Sequence, residues 1–91
     1  MAHVTIELPG MVASLVGVRR IELEAQTLGG AFHVIARDHP RVATHFFDEK
    51  GALRQHVLCF HNDTNTRWLA SSDVPLLGGD RITFLQAVTG G

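Results

Sequence analysis

The hydrophobic period changes twice along this chain, and that constrains the fold more than any other feature. Val4, Ile6 and Leu8 alternate with His3, Thr5 and Glu7, and Ile21 and Leu23 alternate with Arg20, Glu22 and Glu24. A period of two is that of a half-buried strand. At Thr27 the spacing becomes helical: Leu28, Ala31, Phe32, Ile35, Ala36 and His39 recur along one face. Thr27 is placed to cap this helix, and Pro40 closes it at His39. Gly29-Gly30 weakens its first turn, by about 1 kcal/mol per glycine relative to alanine. Alternation returns over Arg81–Gln86, with Ile82 and Phe84 on one face and Thr83 and Leu85 on the other.

Strands on both sides of one main helix predict an α+β fold, a mixed sheet packed on that helix. Val4, Ile6, Ile21, Leu23, Leu28, Phe32, Ile35, Ile82 and Phe84 form the expected core. The first two strands read as a hairpin, although Met11–Val16 is too long and apolar for a tight turn. Arg41–Phe47 reads as a short second helical turn, His56–His61 as a strand and Asn62–Thr66 as a turn cluster. Arg67–Leu69 is expected as a short edge strand, and Ser71–Leu76 as a capped single turn of helix. One domain, residues 1–86, is followed by 87–91, which has no periodicity and is expected to fray as a tail.

Composition removes several classes of function. Net charge is −1 and the densest positive spot is Arg19-Arg20, so there is no electrostatic footprint for nucleic acid or anionic membrane. No apolar stretch approaches the roughly 20 residues that span a bilayer. The N-terminus alternates and lacks a signal peptide's basic and apolar regions. The single cysteine, Cys59, forbids an internal disulfide and fits a reducing cytoplasm.

Three side chains invite a metal reading: His56, Cys59 and His61. On a strand His56 opposes the other two, and two ligands are fewer than zinc usually takes. A buried structural cysteine is the expectation, with no metal. Ser71, Ser72 and Asp73 read as caps, and no nucleophile motif occurs, so no catalytic residue is assigned. Asp48 and Glu49 read as a solvated polar turn. Two terminal glycines occur by chance about once in 200 chains, so Gly90-Gly91 alone is a modest signal.

Set among its neighbours, the diglycine says more. His56-Val57-Leu58-Cys59-Phe60-His61-Asn62, Arg67-Trp68-Leu69, Pro75-Leu76, Gly79-Asp80, Ile82 and Ala87-Val88-Thr89-Gly90-Gly91 together resemble the ThiS/MoaD group of ubiquitin-like sulfur carriers, including the cysteine-synthesis branch. The resemblance extends over nearly the whole chain and is most specific in the last dozen residues. It implies a β-grasp fold. Gln86 stands near a common proline position, His61 where an apolar residue is usual, and Gly79 where an acidic residue often precedes glycine. The branch stays open.

The resemblance further implies that an E1-like adenylyltransferase, using ATP and magnesium, activates the Gly91 carboxylate. Sulfur then displaces AMP to leave a thiocarboxylate for a sulfur-accepting synthase. The carrier itself binds no cofactor. Gly90, Thr89, Val88 and Ala87 would thread into the partner, where glycine permits close backbone approach. Leu85 and Trp68 are the candidate docking residues, because ubiquitin-like folds dock through an apolar sheet face near the tail. Two alternatives remain: a protein modifier conjugated through Gly91, and a non-covalent interaction domain. Lys50 is the only lysine, so chains of a modifier could branch only through Lys50 or Met1.

Overall fold

The computed structural model describes residues 1–69 and 71–86, with the Trp68 side chain outside that set. Strand β1 (Ala2–Glu7) leads through helix α1 (Gly10–Val16) into strand β2 (Arg20–Ala25). Helices α2 (Leu28–Asp38) and α3 (Pro40–Phe46) follow, then strands β3 (Val57–His61) and β4 (Thr64–Asn65), a 3-10 turn at Thr66–Trp68, and strand β5 (Arg81–Gln86). The sheet order is β2-β1-β5-β3-β4. The β1–β5 pair is parallel and the other pairs are antiparallel. The chain's last described strand is thus the middle strand of a mixed sheet.

Alternation fixes the faces. Ile6 lies opposite Ile21 and Val4 opposite Leu23, so one-residue slippage would turn all four to water. With Ile82, Phe84, Val57 and Cys59 they form the inner face, against which Leu28, Ala31 and Ile35 of α2 are buried. Phe84 stacks on Phe46 at 4.2 Å and 4° and meets Phe47 edge-on at 5.8 Å, geometries that aromatic rings favour beyond their burial. The expected hairpin forms, but Pro9 starts and left-handed Gly17 (φ 85°) ends a two-turn helix within it. Val12 of that helix is fully buried.

Four expectations are corrected. Phe32 is half-buried, not core. The inner face of α2 is centred on Leu28, Ala31 and Ile35, leaving Phe32 at its margin beside Phe47, 5.0 Å away. Ser71–Leu76 forms no helical turn. Its carbonyls are used by α2: Leu28 N–H donates to Val74 O at 2.9 Å and Gly29 N–H to Ser72 O at 2.8 Å. These contacts complete the cap begun by Thr27, whose Oγ1 accepts from Gly30 N–H at 3.0 Å. They also favour glycine at position 29, where a Cβ would sit 2.8 Å from Ser72 Oγ and 3.3 Å from Ser72 O. Residues 66–68 coil as the 3-10 turn instead of an edge strand, because Asn65 Oδ1 accepts from Arg67 N–H at 3.0 Å. The edge strand is instead Thr64–Asn65, inside the expected turn cluster.

Candidate functional site

Strand β5 delivers the chain to residue 87, and its anchorage defines the site. Its first half is held by polar groups. Gly79 takes φ 90°, which favours glycine. The Asp80 carboxylate then accepts from Leu77 N–H at 2.9 Å, His61 Nε2 at 2.8 Å and Asn62 Nδ2 at 3.2 Å. Asn62, itself at φ 53°, accepts from Arg81 N–H at 2.9 Å and donates its own N–H to Arg81 O at 2.7 Å. His61 and Asp80 side chains are only 14% and 13% exposed. The Leu77 N–H, and next the His61 ring, hold the Asp80 carboxyl below its ordinary range. This explains His61: it occupies a usually apolar position because it clamps the Gly-Asp turn to the end of β3.

The second half of β5 is held by apolar packing inside and carries an apolar strip outside. Phe84 points into the aromatic cluster. On the outer face Leu58 lies opposite Leu85 and Phe60 opposite Thr83. Leu85 is 44% exposed, and Leu58 and Phe60 are half-buried. The neighbouring half of that face is charged: Glu7 accepts from Thr83 Oγ1 at 3.3 Å and pairs with Arg81 at 3.5 Å. The structure therefore places Leu85 on an apolar strip beside the strand's exit. Sequence reasoning missed Leu58 and Phe60. Their alternation with Val57 and Cys59 was readable, but β3 is apolar on both faces, and only the register with β5 identifies the outer one.

The exit is braced from the other side. Gln86 pairs with Val57. The Arg67 guanidinium donates from Nη2 to the carbonyls of Arg54 (2.8 Å), Gln55 (3.1 Å) and Val57 (2.8 Å), fixing the loop that enters β3. A groove of about 390 Å³ lies where β1 ends, walled by Gly10 and Ala13 of α1 and by Thr83 and Leu85 of β5. A larger groove of about 640 Å³ lies between α2 and α3. Its Asp48 carboxylate is engaged within its own turn, accepting from Lys50 N–H and Ala52 N–H.

Cys59 is fully buried on the inner face, and burial pushes its thiol up to about 12. It stays protonated and unreactive near neutrality. His56 is exposed, and His61 is engaged with Asp80, so the structure does not bring the three together. Among the described residues no three His, Cys, Asp or Glu side chains converge on a metal position, and no helix is long and apolar enough to cross a membrane. The calls on Ala87, Val88, Thr89, Gly90 and Gly91, and on the Trp68 side chain, lie outside the described residues.

A five-stranded mixed sheet, with α2 packed across one face and a middle strand leading to the C-terminus, is the ubiquitin-like β-grasp fold. The ThiS family model matches residues 6–91, and the chain belongs to that family. SAMP1 from Haloferax volcanii is 22% identical with a TM-score of 0.80, covering 99% of this chain and 100% of its own. Mycobacterium tuberculosis CysO is 23% identical with a TM-score of 0.78, covering 93% and 99%. A chain of the Amycolatopsis orientalis BexX/CysO complex is 22% identical with a TM-score of 0.79, covering 97% of this chain and 99% of its own. No curated protein sequence matches the chain.

Proposed function

We propose that the chain is a cytoplasmic sulfur carrier whose Gly91 carboxylate is the working group. An E1-like enzyme, holding ATP and magnesium, joins the carboxylate to AMP and releases pyrophosphate. A sulfur donor displaces AMP to give the thiocarboxylate, which a synthase consumes in molybdopterin or cysteine assembly. The observation that carries this reading is the family match, which runs through the terminal Gly90-Gly91. Consistent with sulfur carried on the carboxylate, the one thiol is buried and held protonated. The chain is a co-substrate and not an enzyme. Its body docks the partner through Leu85, Leu58 and Phe60, with Trp68 as a further contact. Binding the body turns the reaction at Gly91 into an effectively intramolecular one.

A second reading, the modifier, is favoured by the likeness to SAMP1. Lys50 is exposed in the Asp48 turn and would be the one side-chain branch point. Intact mass after expression with the E1-like partner separates the two: a small oxygen-to-sulfur shift for a carrier, ladders of conjugates for a modifier.

The test of the main reading is pyrophosphate exchange with wild type and a Gly91 deletion, beside thermal melts. Deletion draws the carboxylate back by up to about 3.5 Å, and a misplacement of about 1 Å already costs about 100-fold. Equal melting with lost exchange is expected. Undiminished exchange in the deletion would leave only an interaction domain.

A further inference from the structure

Helix α1 carries more exposed apolar surface than its own packing explains. Val12 is fully buried and Val16 half-buried, which satisfies the inner face of a seven-residue helix. Yet Met11 is 70% exposed, Leu15 58%, and Val18, just beyond the C-cap, 46%. Met11 and Leu15 stand four residues apart on one helix flank. The outer side of such a surface helix is ordinarily polar, and clustered apolar exposure marks an interaction surface.

Position says what covers it. Strand β5 runs parallel to β1 with Thr83 opposite Glu7, so Leu85 comes level with Pro9, where α1 begins. Gly10 and Ala13 of α1 share a groove with Leu85. Met11 and Leu15 lie on the other flank of the same short helix, so the stripe sits at the end of the sheet from which residue 87 departs but is turned away from Leu85. Five residues, 87–91, reach roughly 17 Å at full extension. An enzyme acting on Gly91 must bring its surface within that distance of Gln86, and so over this end of the molecule. The exposed Arg19 and Arg20 follow the stripe and call for carboxylates on the opposing surface.

The geometry points to Met11, Leu15 and Val18 as a second docking surface, occupied by the adenylating enzyme that activates Gly91. The inference rests on the proposed function. It commits to the adenylating enzyme, not the sulfur acceptor, because carrier and modifier alike require activation. The partner surface is an apolar hollow bordered by acidic side chains.

The experiment is ATP–pyrophosphate exchange with the E1-like enzyme of the same genome, titrating four chains. These are wild type, Met11→Glu/Leu15→Glu, the Gly91 deletion, and Leu77→Glu. Leu77 is 71% exposed but lies beside Met1 and Ala2, at the opposite end of β1. The double variant should raise KM about tenfold or more with kcat within about twofold. Leu77→Glu should match wild type. Met11→Gln, which adds no charge, should raise KM in the same direction if the double variant melts early. A photo-crosslinker at position 11 should attach to the adenylating enzyme when ATP is present. Unchanged KM in the double variant, with the Gly91 deletion inactive, overturns the stripe and leaves the proposed function standing. A crosslink formed only to the sulfur acceptor, or only to a second copy, also overturns it. Exchange undiminished by the Gly91 deletion, or absent with wild type, sinks the proposed function and this inference with it.

Discussion

Replacing Asp80 by alanine should release the start of β5. The carboxylate accepts three hydrogen bonds, at 2.8, 2.9 and 3.2 Å, with its side chain only 13% exposed. A hydrogen bond to a charged group nets about 1.5–3 kcal/mol, and the longest of the three lies at the weak limit. The variant also strips partners from His61 and from the Leu77 N–H. The expected loss near pH 7 is about 2–3 kcal/mol. For a chain of this size that lowers Tm by about 8–24 °C. The sign with pH follows from the depressed Asp80 value. The clamp contributes fully above the unfolded value of about 3.9 and is lost as pH falls through the lower, folded value. Urea melts at neutral pH and at successively lower pH should therefore show a wide gap between wild type and Asp80→Ala that narrows as acid protonates the folded carboxylate. Asp80→Asn, which keeps the shape without the charge, should show little of that pH dependence. A gap below about 0.5 kcal/mol near neutrality, or one that does not narrow as pH falls, would refute the clamp.

Other outcomes follow from the same geometry. Thr27→Ala removes the Oγ1 acceptor for Gly30 N–H and should cost about 1 kcal/mol, read as a Tm drop of about 4–8 °C. Cys59 should resist thiol reagents in the folded protein at mildly alkaline pH, because its thiol titrates only at about 12. Cys59→Ser should keep thiocarboxylate formation, measured by intact mass; its total loss in a folded variant would instead indicate a persulfide route. Leu85→Asp sits on a half-covered position opposite Leu58, so stability should fall by about 1 kcal/mol. The same variant should raise KM in pyrophosphate exchange, and an unchanged KM would remove Leu85 from the docking strip.

The elements that sequence read well are those whose own periodicity decides them. β1, β2, β5 and α2 have one apolar face each, and α2 also has Thr27 and Pro40 at its ends. Cys59 was legible as a buried structural cysteine, and two positions on from Val57 it faces the core with it. What failed was decided by distant partners. Ser71–Leu76 carries local signals for a helical turn, but α2 needs its carbonyls and Gln26 O takes Leu76 N–H. Residues 66–68 look like strand until Asn65 caps them and Arg67 reaches back to the loop before β3. His61 looked like a departure from pattern because Asp80, nineteen residues on, is adjacent only in the fold. Leu58 and Phe60 escaped notice because no local rule says which face of a doubly apolar strand meets the helix.

The anchorage of β5 bears on how such a chain can work. In the proposed function a partner binds the body but reacts with a group five residues beyond the last described strand position, so any looseness at the root would be passed on to the reacting carbon. β5 meets this by being the middle strand: its first half is paired to β1 through Thr83 and to β3, and Leu85 and Gln86 stay paired to β3. Its start is clamped by His61, Asn62 and Asp80, and its inner side chain Phe84 is held by three aromatic rings. Arg67 braces the strand beside Gln86. The effective concentration of Gly91 in a partner's site falls with the volume it can sample, and holding Gln86 fixed limits that volume to what five residues allow. Lengthening 87–91 by a glycine before Thr89 should therefore leave the body's melting unchanged while lowering the rate of exchange. The loss would come from reach and misplacement, with every docking contact intact.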